Sequence, residues 1–156
     1  MRSLSRRRLR LQLSKIQRDT ARPFCPDSTF AHHLLLPEDT SDDIVSATVH
    51  AFCDAVNATM PLIVFPDGFS GWRAANRLRK HRALIVNSAS EVLDAVLRRS
   101  YFRARYFENY YGFDAGGAWF VLFCHDDDVH FWLRPSVNAL PPVRQWQASF
   151  PLTEVP

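Results

Sequence analysis

Glycine is scarce in this sequence, with 5 among 156 residues, and neither GxGxxG nor GxxxxGK[ST] occurs. A backbone cradle for phosphate needs glycine where the chain approaches the anion, so the dinucleotide-binding and P-loop classes drop out. Cysteine is scarcer still: Cys25, Cys53 and Cys124 are odd in number, widely spaced and without a CxxC pair. That argues against a disulfide framework and points to a reducing, cytoplasmic setting. No apolar run approaches the ~20 residues of a membrane-spanning helix. The longest runs, "PLIVF" and "AWFVLFC", have the length of strands. Also missing are a GxSxG elbow, an HExxH helix and an EF-hand loop, and no Ser/His/Asp or Cys/His spacing marks a nucleophile. The chain reads as non-enzymatic, and its sequence implies no cofactor.

What is present is apolar and aromatic: 47% hydrophobic residues and 13% Phe, Trp and Tyr. This is enough for the core of one soluble domain and too much for general disorder. The net charge of +3 hides a division. Residues 1–22 carry eight basic side chains against Asp19 alone, a balance of +7, which leaves −4 for residues 23–156. The organisation expected is therefore a basic N-terminal arm over 1–22 and a mildly acidic domain over 23–156. Arg6, Arg7, Arg8 and Arg10 are the densest part of the arm, and such asymmetry suits a phosphate-bearing or acidic partner. The arm also fits docking on the acidic body. Being Arg-rich, Ser-containing and nearly acid-free, it has the composition of a mitochondrial presequence as well.

Periodicity places the elements. Leu9, Leu13 and Ile16 give the arm a narrow helical stripe over about 4–18. "ARPFCPDSTF" and "HHLLLPEDTSDD" read as connectors around the prolines. Residues 41–59 form the clearest helix, with Thr40 or Ser41 as cap, Asp42 and Asp43 at the positive end of its dipole and Pro61 as its stop. Its expected buried stripe is Ile44, Thr48, Ala51, Phe52 and Ala55, widened by Val45, Val49, Val56 and Met60, with Cys53 a small core residue. "LIVF" is a strand before a "PDG" turn. Helices are expected over about 70–81 and, from the Ser88/Glu91 capping box, over 88–99, with "ALIVN" a buried strand between them. The aromatic segment 101–111 tips towards strand, and "ENYYGFDAGG" towards a turned loop. Alternation in 119–124 and 129–134, around a polar "HDDD", gives a hairpin at about 118–134. The prolines at 135, 141 and 142 oppose further regular structure, and "RQWQASF" is expected as an edge strand. The fold class is α+β, with N-terminal helices and a late antiparallel sheet.

Four groups carry candidate chemistry. Arg73, Arg77 and Lys80, at i, i+4 and i+7, give one helix a cationic face suited to phosphate. Arg103 and Arg105 interleave with aromatics ending in Tyr110 and Tyr111, a composition shared by protein contact surfaces and by single-strand binding platforms. His125, Asp126, Asp128 and His130 offer oxygen and imidazole donors for a divalent ion, with Asp128 and His130 on one side of a strand. Three adjacent aspartates cannot all converge on one ion without an irregular loop, so a solvated turn is the stronger reading there. Cys25, His32 and His33, with a later His or Cys, form a second donor set, but without the tight pairing zinc sites favour. The expected function is a small binding or regulatory protein of inhibitor, immunity or mobile-element accessory type. It would act on a protein partner through an aromatic surface and the arm. Nucleic-acid binding and metal-dependent hydrolysis are the alternatives.

Overall fold

The structure is a computed structural model, and it describes residues 2–3, 28–57, 62–68, 84–86, 108–114, 116–124 and 128–156. Among the described residues, eight strands form one sheet: β1 (Arg2–Ser3), β2 (His32–Leu36), β3 (Leu62–Gly68), β4 (Leu84–Val86), β5 (Glu108–Asp114), β6 (Trp119–Phe123), β7 (Val129–Leu133) and β8 (Thr153–Val155). Their spatial order is β1-β4-β3-β5-β6-β7-β2-β8, and every neighbouring pair is antiparallel. Three helices are described: α1 (Asp42–Ala55), α2 (Pro135–Asn138) and α3 (Pro141–Ser149). The class is mixed α+β. Among the described residues, no helix is long and apolar enough to cross a membrane.

One face of the sheet packs on α1 and α3. Val129, Phe131 and Leu133 of β7, Val121 and Phe123 of β6, and Leu34 and Leu36 of β2 join Val45, Val49 and Phe52 of α1 with Val143 and Trp146 of α3. Phe52 is fully buried and meets Trp119, Phe131 and Trp146 at ring-centroid distances of 5.1, 5.1 and 4.8 Å. Edge-to-face and tilted arrangements of this kind favour the ring quadrupoles as well as the burial. The indole Nε1 of Trp146 donates to the Thr48 carbonyl at 2.9 Å, so the tryptophan's polar atom is satisfied inside the core.

The hairpin is present as expected: Trp119 to Phe123 pair in order with Leu133 to Val129. Its chain reversal is closed by the Cys124 amide donating to the Asp128 carbonyl at 2.9 Å. The turn before it, from β5 into β6, depends on glycine. Gly117 has φ +74°, a region open to glycine without the clash other residues meet. At Gly116 a Cβ would stand 2.6 Å from Asp114 Oδ2. That oxygen already accepts the Ala118 amide at 3.2 Å.

Several expectations are corrected. "HHLLL" is an inner strand flanked by β7 and β8, not a connector. Leu35, on the face opposite Leu34 and Leu36, is itself apolar and partly buried, so the polar/apolar alternation that would have marked a strand is missing. Among the described residues, strands thus precede and follow α1. β3 runs through Pro66, Asp67 and Gly68, so "PDG" is not a turn; it pairs with Tyr110, Asn109 and Glu108 of β5. β5, Glu108–Asp114, agrees at 108–111 with the strand expected over 101–111 and continues through 112–114, where "ENYYGFDAGG" suggested a loop. "RQWQASF" lies in and just after α3, and the edge strand is Thr153–Val155. Pro135 and the Pro141/Pro142 pair open α2 and α3. At a first helical position the missing N–H has no partner to lose.

α1 ends at Ala55, before Pro61 is reached, and Asn57 follows at φ +48°. A left-handed residue just past the last turn terminates a helix, and asparagine adopts it more readily than most. The buried stripe is Val45, Thr48, Val49, Phe52 and Cys53, while Ile44 is 43% exposed. Ser41 holds the cap position without a side-chain hydrogen bond. "ALIVN" contains β4 as expected. The helices expected over 4–18, 70–81 and 88–99 lie outside the described residues.

Candidate functional site

Alternation along β7 sends His130, Trp132 and Arg134 to the sheet face opposite α1 and α3, where each is partly exposed. β2 sets His33 across from Trp132 and Leu35 across from His130. β6 sets Phe120 against Trp132 from the other side, and Leu122 against His130. The Trp132 indole is therefore sandwiched. The His33 ring stacks on it at 4.3 Å and 9°, and the Phe120 ring at 4.5 Å and 18°. Phe30 caps Phe120 edge-on at 5.1 Å, and the Arg134 guanidinium lies over Phe30 at 5.3 Å.

A chain of polar contacts runs beside the stack. His33 Nε2 is 2.8 Å from His130 Nδ1, and His130 Nε2 is 3.1 Å from Asp128 Oδ1. Burial, and then the neighbouring His130, push the His33 pKa down to about 4 against a smaller opposing pull from Asp128. His33 is thus a neutral imidazole at neutral pH, and a neutral ring can accept the Nδ1 proton of His130. That bond would fix the orientation of the His130 ring and direct Nε2 towards Asp128. Burial pushes the Asp128 carboxyl up, but its contact with and attraction to His130, followed by contact from Cys124, hold it below the usual carboxylate range. On the other face of β2, His32 Nδ1 lies 2.9 Å from Glu154 Oε1, an exposed pair.

Cys124 completes the group. Its thiol, a carboxylate oxygen of Asp128 and a ring nitrogen of His130 lie within 4.8 Å of one another. All three residues sit at the end of the β6–β7 hairpin, held by the Cys124–Asp128 backbone bond.

Asp128 and His130, expected on one side of a strand, are together. His125 and Asp126 lie outside the described residues, as do Arg6, Arg7, Arg8, Arg10, Arg73, Arg77, Lys80, Arg103 and Arg105. Tyr110 and Tyr111 are placed by backbone register: Tyr111 continues the row of Leu122, His130 and Leu35, and Tyr110 that of Phe123, Val129 and Leu36. In the sequence, "CHDDDVH" holds Cys124 in one short segment with Asp128 and His130, but the expected ligand set leaves it out. His33 belongs there to a separate donor set, and Trp132 is not singled out. The even spacing of His130 and Trp132 already put these two on one face. Nothing in the sequence paired either with His33, 97 residues away from His130. Of the donor set expected around Cys25, only His33 reaches a later histidine; His32 faces Glu154, and Cys25 lies outside the described residues.

No family model, curated protein or solved structure matches this chain.

Proposed function

We propose that this is a small binding or regulatory protein, without catalysis of its own, that engages a protein partner through aromatic side chains and a basic arm. The observation that carries the reading is the charge division: +7 over residues 1–22 against −4 over the remainder. A cationic arm on a weakly acidic body accelerates encounter with an acidic surface and adds salt-sensitive attraction. The His33–Trp132–Phe120 stack supports the other half of the reading. His33 and Trp132 are partly exposed and rest on the fully buried Phe120. Rigid aromatics give contact area at low cost in side-chain freedom, and tryptophan is enriched among residues that dominate interfaces.

The test is affinity capture by the full-length protein, with nuclease-treated and untreated samples read by mass spectrometry. Nuclease-resistant capture of the same protein is expected, weakened by added salt and by Trp132→Ala, with circular dichroism confirming that the variant is folded. Nucleic-acid binding is the second reading, favoured by the spacing of Arg73, Arg77 and Lys80 on one expected helix face. It would replace the first if nuclease abolishes capture and duplex or single-stranded probes bind with a steep salt dependence. Replacing those three residues by glutamine should then flatten the slope, because fewer counterions are released.

A further inference from the structure

We propose that Cys124, Asp128 and His130 form a binding site for a zinc-class divalent transition-metal ion, with His33 holding His130 in its ligating orientation. The site adjoins the aromatic stack and shares His33 with it, but binding of the ion needs no partner and is tested separately.

Four observations converge. First, the donor atoms of the three residues already lie within 4.8 Å of one another, so a modest contraction would bring them around one ion. Second, the backbone that carries them is fixed. Cys124 follows β6 and Asp128 precedes β7, and the two are joined by a 2.9 Å backbone hydrogen bond. His130 is two residues further along a strand paired on both sides. Third, Asp128 Oδ1 is shut off from solvent with no aligned hydrogen-bond partner, although His130 Nε2 is 3.1 Å away. A buried carboxylate oxygen left in that state has an unmet need that a cation would satisfy. Fourth, the far nitrogen of His130 is engaged by His33 at 2.8 Å. Metal-bound histidines almost always have such a partner on the nitrogen that does not bind the ion.

The donor chemistry selects the class of ion. A thiolate with an imidazole favours zinc and its close substitutes over calcium or magnesium, which prefer all-oxygen shells. Three protein ligands leave one tetrahedral position for water or for a donor from a partner. The ion would tie the end of the β6–β7 hairpin together and, through His33, fix it against β2.

Cobalt(II) is the probe. Metal-stripped full-length protein titrated with Co²⁺ should saturate at one equivalent. It should show the intense visible bands of a tetrahedral site and a sulfur-to-cobalt charge-transfer band, both reversed by one equivalent of Zn²⁺. The charge-transfer band should vanish in Cys124→Ser and persist in Cys53→Ser and Cys25→Ser. Asp128→Asn and His130→Gln should weaken affinity at least tenfold. His33→Ala should weaken it roughly 10–100-fold, the range for loss of a partner to a ligating histidine, and His33→Gln should restore part of the loss by again offering an acceptor. Should Cys124→Ser not fold, the wild-type protein gives the same answer: Zn²⁺ should slow alkylation of Cys124 while leaving Cys25 unprotected. Absence of stoichiometric Co²⁺ binding, or a charge-transfer band that survives loss of Cys124, would overturn the site. Unchanged affinity in His33→Ala would remove His33 from it. Because the readout is spectroscopic and needs no partner, failure here leaves the binding reading standing, and failure of capture leaves the site standing.

Discussion

Of the two cysteines with described side chains, Cys124 is partly exposed beside Asp128 and His130, and Cys53 is buried. Cys53 lies in the helix-covered core, and burial, then the nearby charge of Asp54, push its thiol up to about 12. The thiolate is the nucleophile, so a thiol held that high is inert near neutrality. In native protein at pH 8, Cys53 should stay unmodified by a disulfide-exchange reagent and become reactive only in denaturant, as peptide mass spectrometry will show. Reaction of Cys53 at the rate of an exposed thiol would mean that α1 does not pack as described. Cys53 as a core residue was legible from its place among Val49, Phe52 and Val56. Asp128 and His130 were legible as a pair because a spacing of two means one side of a strand. The remaining partners of that pair were not, since His33 reaches it through strand pairing across most of the chain, and no local pattern encodes such a pairing.

Among the elements, α1 carries the core and also shows how a broad apolar stripe can mislead by a residue. Ile44 and Phe52 both fell in the stripe that periodicity suggested, yet Phe52 is fully enclosed and Ile44 is 43% exposed. Phe52→Ala should therefore cost about 3–5 kcal/mol by loss of burial plus the cavity left behind. Ile44→Ala should stay within roughly 1 kcal/mol, nearer the range of surface changes. Urea denaturation of the two variants checks the contrast, and equal losses would place the helix in the wrong rotation. The β6–β7 hairpin was legible because each strand has one apolar face. β2 and α3 were not: "HHLLL" has no alternation, and Pro141 and Pro142 opposed regular structure unless they were recognised as a helix start.

For the whole molecule, positive charge is concentrated in the arm. Its first residues are not remote from the fold, since Arg2 and Ser3 pair with Ile85 and Leu84 at the outer edge of the sheet. Two residues at an edge contribute little, so deleting residues 1–22 should shift the melting temperature by only a few degrees. The same deletion should remove the salt-dependent part of partner capture. Aggregation or loss of cooperative melting in the truncated protein would instead make the arm a structural strand, with the exposed β4 edge then open to pairing between molecules.

The placement of β2 carries a further consequence, for how the chain is made. This strand begins at residue 32, but both of its neighbours come much later in the sequence, β7 at 129–133 and β8 at 153–155. On the ribosome, "HHLLL" must wait until residues 129–133 have been made before either edge finds its hydrogen bonds. Pairings so distant in sequence are slow to form because a large loop must close first. A nascent or prematurely terminated chain therefore exposes an apolar strand with two open edges, and such a product is a natural substrate for chaperones and proteases.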